Sequence, residues 1–158
     1  PIEDNKAECV VCTDVLEHLD EFHRVFKELL RISSKYIIIS LPNAFTEIRP
    51  YIKRQLYSGL EGKAGVSVGK FSKYYGLPKV KPEDRHRWFF SYTEIKSFFR
   101  DQQIDLNYNI LEEVPIGASS TTFKGKIFRF FIKSIFDNEL KEDLFYRTYW
   151  CILEKNKT

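Results

Sequence analysis

The amino-acid sequence predicts an α/β fold in which helices cover a largely parallel sheet, and three features of its first part predict this class. A short apolar, β-prone segment at 9–13 precedes a stripe of apolar side chains from Phe22 to Leu30, which has the spacing of an amphipathic helix. The run 36–41 shows no polar alternation, which is typical of a strand buried on both faces. Strand, helix and strand within about 33 residues form a right-handed βαβ unit.

The later elements continue this alternation. Asp20 is a candidate N-cap of the first helix, because its carboxylate can accept hydrogen bonds from the free amides of the first turn. Ser91-Tyr92-Thr93-Glu94 has the spacing of a capping box, which predicts a second helix that ends near Gln103. The remaining predicted elements are a strand at 106–114, an apolar helix at 126–136 and a terminal strand at 148–153.

The composition is that of one ordinary globular domain. The chain has 158 residues, of which 43% are hydrophobic and 30% are charged, and such values are usual for globular proteins. Its net charge of +3 is too small to indicate nucleic-acid binding by itself, and no apolar run approaches the ~20 residues of a membrane span. The odd number of cysteines, three, argues against a disulfide framework and for a reducing, cytoplasmic location.

The sequence contains no methionine, so it lacks a translation start. It also opens on residues that have the pattern of a domain interior. We therefore expect a piece of a longer protein, whose function depends on residues outside this sequence.

Residues 44–85 differ from the rest and are predicted to form a basic cap inserted into the domain. The segment 44–81 holds five of the seven glycines, and eight Lys or Arg residues against Glu47 and Glu61. A structureless loop of this length is unusual inside a compact domain, and its apolar residues suggest a short helix. Its basic and aromatic side chains suit an anionic substrate, RNA or lipid headgroups, and a solvated positive surface is the alternative.

The segment 11–19 carries the strongest chemical signal. Asp14, Glu17 and His18 stand where the first strand ends and its helix begins, the edge at which open α/β sheets bind ligands. If this turn is helical, their spacing puts all three on one face, where they can bind a divalent ion or form an acid–base site. In the alternative interpretation, Asp14 caps the helix and Glu17 is a solvated acid favoured by the helix dipole.

Several blocks of the sequence resemble the class I S-adenosylmethionine-dependent methyltransferases. Cys-Val-Val-Cys-Thr-Asp-Val-Leu-Glu-His-Leu at 9–19 resembles that family's fourth strand and following loop, and Ile-Ile-Ile-Ser-Leu-Pro-Asn at 37–43 resembles its fifth strand. Asp-Arg-His-Arg-Trp-Phe-Phe-Ser at 84–91 resembles a block common in bacterial members. Separate blocks in the right order are more specific than any one alone.

The resemblance implies that residues 1–158 are the C-terminal part of one methyltransferase domain. This part comprises strands four to seven of a Rossmann-like sheet, the last antiparallel, with helices on both faces. S-adenosylmethionine is the implied cofactor, and Thr13, Asp14, Val15 and His18 are placed beside it. The family's glycine-rich loop and the acidic residue after its second strand, which hold the cofactor, have no counterpart in this sequence. The chain alone is therefore expected to be inactive.

Methyl transfer to oxygen or nitrogen needs the donor and acceptor in line and a group that removes a proton. His18 and His86 are the candidate catalytic bases, because histidine titrates near neutral pH. We expect Asp14 and His18 on the cofactor side and His86 on the acceptor side. The predicted acceptor is a small molecule, a glycan or a lipid-linked group.

A more specific version of the resemblance involves a metal. Some relatives, among them quinone-precursor O-methyltransferases and small-RNA 2′-O-methyltransferases, hold a divalent metal with a Glu-x-x-Glu-His block, and the RNA enzymes add a later histidine. This chain has Asp14-x-x-Glu17-His18, and His86 is the candidate later histidine. Asp in place of Glu shortens the reach by one methylene, and many relatives keep Glu-His with no metal.

Two further functions stay open at this stage. A non-catalytic methyltransferase-like module would dock a partner, or dimerise, through its first strand or its apolar helix at 126–136. A metal-dependent RNA 2′-O-methyltransferase would use the four candidate metal ligands, although the modest net charge argues against nucleic acid. The helix at 126–136 is also a candidate for peripheral membrane contact.

Overall fold

A computed structural model describes residues 2–46, 86–117 and 137–156. The strands are β1 (Ala7–Thr13), β2 (Ser33–Pro42), β3 (Tyr108–Gly117) and β4 (Tyr146–Lys155). The helices are α1 (Phe22–Ile32), α2 (Tyr92–Asp105) and α3 (Asn138–Phe145), and a 3₁₀ turn occupies Leu16–His18.

The four strands form one sheet in the order β1-β2-β4-β3. β1 and β2 are parallel, as the βαβ prediction requires, whereas β4 runs antiparallel to both of its neighbours. β4 thus lies between two strands that precede it in the sequence. The predicted α/β class and the antiparallel last strand are both confirmed.

The core lies between the sheet and the helices α1 and α2. Ile37, Ile39 and Leu41 alternate along β2, so their side chains share one face, and each is at most 1% exposed. They form one buried cluster with Phe26 of α1 and Phe99 of α2. Because burying a side chain of this size stabilises the fold by ~1.5–3 kcal/mol, this cluster fixes both helices against the sheet.

One helix start was predicted correctly and the other was not. The Ser91 hydroxyl accepts from the Glu94 amide and the Glu94 carboxylate accepts from the Ser91 amide, which completes the predicted capping box. The predicted N-cap Asp20 is wrong, because α1 begins at Phe22 and its N-cap position is Glu21, without a side-chain cap. The Asp20 carboxylate instead lies 3.3 Å from the Arg87 guanidinium.

β3 begins two residues later and ends three residues later than predicted, and β4 extends two residues beyond its prediction at each end. The two strands pair from Tyr108 and Lys155 to Gly117 and Tyr146. The short helix α3, capped by the Asp137 carboxylate at the Leu140 amide, was not predicted. The predicted basic cap at 44–85, apart from residues 44–46, and the predicted helix at 126–136 lie outside the described residues. Within the described ranges, no helix is long and apolar enough to cross a membrane.

Buried tyrosine and cysteine side chains on α2, β3 and β4 make the stability of the fold depend on pH. Burial raises the pKa of the phenols of Tyr92, Tyr108 and Tyr149 and raises the pKa of the Cys151 thiol to about 12. In an unfolded chain, thiols ionise near pH 8.5 and phenols near pH 10. The unfolded state therefore loses these protons first, so stability is complete below about pH 8.5 and falls as the pH rises above that value.

We expect the free energy of unfolding to decrease steadily between about pH 9 and pH 11, by up to about 1.4 kcal/mol per pH unit for each such group. Urea unfolding at several pH values measures this slope. Cys151→Ala should make it shallower, whereas Cys9→Ala, at the exposed cysteine of β1, should leave it unchanged. A flat profile in this range would contradict the prediction.

Candidate functional site

The chain leaves the carboxyl end of β1 through a sharp turn at Asp14, whose φ is 52°. Asp is one of the residues that adopts this left-handed conformation most readily. Its amide donates to the Ser40 carbonyl (3.2 Å) and the Ser40 hydroxyl (3.1 Å), and that hydroxyl donates to the Asp14 carboxylate (3.0 Å). Ser40 is fully buried on β2, so the neighbouring strand fixes the direction in which the loop leaves β1.

The 3₁₀ turn after Asp14 sends Glu17 inward. Glu17 is only 1% exposed and Leu16 is completely buried, whereas the side chain of His18 is 24% exposed. Since the turn begins at Leu16 and Asp14 is in a left-handed conformation, Asp14 is not part of a helical face shared with Glu17 and His18. The sequence-based expectation of one common face for these three residues is therefore not met.

His86, rather than Asp14, lies together with Glu17 and His18. The imidazole rings of His18 and His86 meet edge to face, with centroids 4.3 Å apart and planes at 79°. Glu17 Oε1 lies 3.6 Å from His18 Nε2, and one potential ligand atom from each of Glu17, His18 and His86 lies within 4.8 Å of the others. We call these three residues the Glu17–His18–His86 cluster. The cluster contains both candidate catalytic bases, His18 and His86.

The segment from His86 to Phe90 has no regular secondary structure, yet it is held tightly to the 3₁₀ turn. The amides of Arg87 (2.7 Å) and Trp88 (3.3 Å) both donate to the Glu17 carbonyl. The Trp88 indole N–H donates to the Leu19 carbonyl at 2.6 Å. His86, at the start of this segment, is only 4% exposed. Sequence reasoning missed Trp88, because hydrogen bonds to a distant backbone leave no periodic pattern.

The cluster combines a buried carboxylate with two imidazoles, which is a suitable set for moving a proton near neutral pH. Burial, together with the nearby Glu17 carboxylate, raises the pKa of the Cys12 thiol at the end of β1. Within the described residues, the same donor set is the group that could hold a metal ion. Carboxylate and imidazole ligands suit Zn²⁺, Mn²⁺ or Fe²⁺.

Among the predicted cofactor residues, Thr13 is the last residue of β1, and Asp14 and Val15 form the loop that leads to the 3₁₀ turn. Val15 exposes 44% of its surface, and Thr13 is partly buried. In open α/β sheets, ligands lie beyond this edge. Asp14 and Val15 therefore lie at this edge of the sheet, where the Asp14 carboxylate accepts a hydrogen bond from Ser40.

No protein-family model matches the sequence, and no curated protein matches it. Solved structures do match. The small RNA methyltransferase HEN1 has a TM-score of 0.52 and 15% identity, over 100% of this chain and 15% of that chain.

Two further matches are each described as a "putative methyltransferase". BH2331 of Bacillus halodurans C-125 has a TM-score of 0.52 and 14% identity, over 99% of this chain and 68% of that chain. The Haloferax volcanii protein, solved in complex with the Trm112 methyltransferase activator, has a TM-score of 0.51 and 8% identity, over 100% of this chain and 57% of that chain.

The chain thus spans only part of the length of each of these proteins, from 15% of HEN1 to 68% of BH2331. At these identities the likeness concerns the fold, and the sheet agrees with it through its parallel pair and its inserted antiparallel strand. The chain has the fold of the class I S-adenosylmethionine-dependent methyltransferases.

Proposed function

We propose that the intact protein transfers a methyl group from S-adenosylmethionine to an oxygen or nitrogen atom of a small-molecule, glycan or lipid-linked acceptor. The observation that carries this proposal is the Glu17–His18–His86 cluster at the carboxyl edge of the parallel pair β1–β2. The segment Thr13–Val15, the proposed contact for the methyl donor, is followed after Leu16 by Glu17 and His18, and the proposed base His86 contacts His18.

The cofactor, when bound, supplies a methyl group on a positively charged sulfur. An acceptor atom would form its bond to that methyl carbon as the carbon–sulfur bond breaks, and the acceptor would have to lose its proton. In this proposal His86 takes that proton, and the buried Glu17 carboxylate stabilises the positive charge of the histidine pair. His18, beside the donor loop and in ring contact with His86, holds the base in place.

The residues present fit one side of the cofactor. Val15 offers accessible apolar surface, and the Ser40 hydrogen bonds fix the backbone of the Asp14 turn. The expected glycine-rich loop is not among the residues of this sequence, so cofactor affinity is assigned to the intact protein. Thr13, Asp14, Val15 and His18 remain the proposed cofactor contacts.

The test replaces His86 by asparagine in the intact protein. A lost general base costs about 10²–10⁴-fold in turnover, so we expect kcat to fall by at least about a hundredfold while the Kd for S-adenosylmethionine stays the same. His23→Asn, at the exposed histidine of α1, is the matched control and should keep full turnover. Equal losses in kcat and cofactor affinity, or no loss, would remove His86 from the acceptor side.

A second candidate function, metal-dependent 2′-O-methylation of RNA, is favoured by the same donor set. Ligand atoms about 2.0–2.2 Å from one tetrahedral ion lie about 3.3–3.6 Å from each other. The three donors, which lie within 4.8 Å of one another, would therefore have to move closer together to bind an ion. The ligands would be Glu17, His18 and His86, without Asp14, whose carboxylate accepts from Ser40.

The same assay separates the candidates when it is repeated with a chelator and then with added Mn²⁺. Turnover that survives chelation supports the metal-free mechanism. Turnover that needs Mn²⁺, together with RNA affinity that falls with salt, supports the second candidate. No cofactor binding by the intact protein would instead favour a non-catalytic module.

A further inference from the structure

We propose that Ser40 is a positioning residue for the cofactor, because its hydroxyl holds Asp14 in the left-handed turn at the carboxyl edge of β1. The proposal rests on the proposed function, since it requires the intact protein to bind S-adenosylmethionine beside residues 13–15. Ser40 is completely buried, so it acts through Asp14 and does not touch the cofactor. The Asp14 carboxylate serves the turn, and Asp14 faces the cofactor with its main chain.

The side chain of Ser40 contacts Asp14 at two different groups. The Asp14 amide donates to the Ser40 carbonyl at 3.2 Å and to the Ser40 hydroxyl at 3.1 Å. The same hydroxyl donates to the Asp14 carboxylate at 3.0 Å, and hydrogen bonds to carboxylates are stronger than those between neutral groups. One hydroxyl therefore fixes how the main chain and the side chain of Asp14 are turned relative to each other.

Asp14 needs this support because its φ is 52°. In residues other than glycine, a positive φ is unfavourable because Cβ crowds the following carbonyl oxygen. Aspartate adopts it more often than most residues because its short side chain can form local hydrogen bonds. The Ser40 hydroxyl supplies such a bond from the neighbouring strand. Without the hydroxyl, the bond to the Ser40 carbonyl still holds the amide, but no described contact holds the carboxylate.

Ser40 is a rigid anchor because it lies on an inner strand of the sheet. In the strand pairing it is opposite Thr13 of β1 on one side and Trp150 of β4 on the other. Val15, which is 44% exposed, follows Asp14 directly, so the φ of Asp14 determines where Val15 lies. The His18 amide also donates to the Val15 carbonyl at 3.0 Å. Loss of the hydroxyl should therefore change Asp14 and Val15 locally, while the 3₁₀ turn stays in place.

The experiment uses Ser40→Ala in the intact protein, which removes the hydroxyl but no main-chain group. Ser33→Ala is the matched control, because Ser33 is also completely buried on β2. Its hydroxyl also forms two hydrogen bonds, to the Tyr36 carbonyl (2.8 Å) and from the Lys35 amide (3.2 Å). In protein labelled at aspartate, a strong NOE between the amide and α protons of Asp14 reports a positive φ. Calorimetry measures the Kd for S-adenosylmethionine.

We expect Ser40→Ala to weaken this NOE and to raise the Kd about tenfold, which corresponds to about 1.4 kcal/mol. Ser33→Ala should change neither. Glycine adopts a positive φ without help from a side chain, so adding Asp14→Gly to Ser40→Ala should restore most of the lost affinity. A merely structural role of Ser40 would not be rescued in this way. If Ser40→Ala unfolds the protein, Ser40→Cys, whose thiol is a weaker donor, takes its place.

A Kd that Ser40→Ala leaves unchanged would overturn the proposal, even if the NOE weakens. A raised Kd that Asp14→Gly does not restore would also overturn it, because direct contact of the carboxylate with the cofactor, or general disruption, then explains the loss. If the protein without substitutions binds no S-adenosylmethionine, the proposed function fails together with the cofactor role of Ser40. A weakened NOE in Ser40→Ala would in that case still support the hold of Ser40 on the turn.

Discussion

Phe99→Ala is expected to destabilise the protein by about 3–5 kcal/mol, a large part of the ~5–15 kcal/mol stability that is typical of a domain. Phe99 of α2 is fully buried. Its ring stacks on Tyr149 of β4, with planes at 9° and centroids 5.6 Å apart, and meets Phe26 of α1 edge to face. One side chain therefore joins both helices to the inserted strand, and alanine leaves a cavity at this junction.

Urea unfolding followed by circular dichroism measures this loss. Ile104→Ala on the same helix is the matched control, because Ile104 is 90% exposed, and exposed substitutions usually change stability by less than about 0.5 kcal/mol. Similar midpoints for Phe99→Ala and Ile104→Ala would contradict the assignment of Phe99 to the centre of the core.

Asn43→Asp is the second substitution for which we expect a large effect. The Asn43 side chain is completely buried after β2, and its amide donates to the carbonyls of Asp143 (2.8 Å) and Tyr146 (2.7 Å). Its oxygen accepts from the Phe45 amide. A carboxylate has no proton to donate, so it would face two carbonyl oxygens as a buried charge. Since each unsatisfied buried group costs about 1–3 kcal/mol, and more when charged, we expect most molecules to unfold.

Asn43→Ala is the control, because it removes the same two donors without adding a charge. It should be destabilised less than Asn43→Asp at pH 7. Burial raises the pKa of the introduced carboxyl, so the difference between the two variants should shrink as the pH falls and the group takes up a proton. Equal stability of the two variants at pH 7 would contradict this account of the Asn43 amide.

The parts of the fold that the sequence predicted are those with a local pattern. The apolar run in β2, the stripe of α1 and the Ser91 capping box each depend on residues within a few positions of each other. The predicted N-cap Asp20 was wrong by one residue, because the chain makes a turn at Asp20 and Glu21 and the helix begins only at Phe22. The short helix α3 was missed because its eight residues are largely exposed or half-buried, so they show no apolar stripe.

The candidate site divides in the same way. Glu17 and His18 were found from their place after a predicted strand, and His86 from a family block. The sequence could not separate Asp14 from Glu17 and His18, because the left-handed turn depends on Ser40 of the next strand. Asp at a strand end is a weak signal for such a turn. The hydrogen bond from the Trp88 indole to the Leu19 carbonyl joins residues far apart in the sequence, so no local sequence pattern predicts it.

The insertion of β4 between β2 and β3 also sets the order in which the protein can fold. β1, α1 and β2 are neighbours in the sequence and can associate early, but β2 and β3 are joined only through β4, the last of the four strands. Pairing β2 with the distant β4 closes a long loop of chain, and the conformational entropy lost in closing it slows folding. Until β4 arrives, Ile37, Ile39 and Leu41 lie on a strand with an unpaired edge, a state prone to aggregation. Synthesis on the ribosome therefore leaves this sheet incomplete until β4 has emerged.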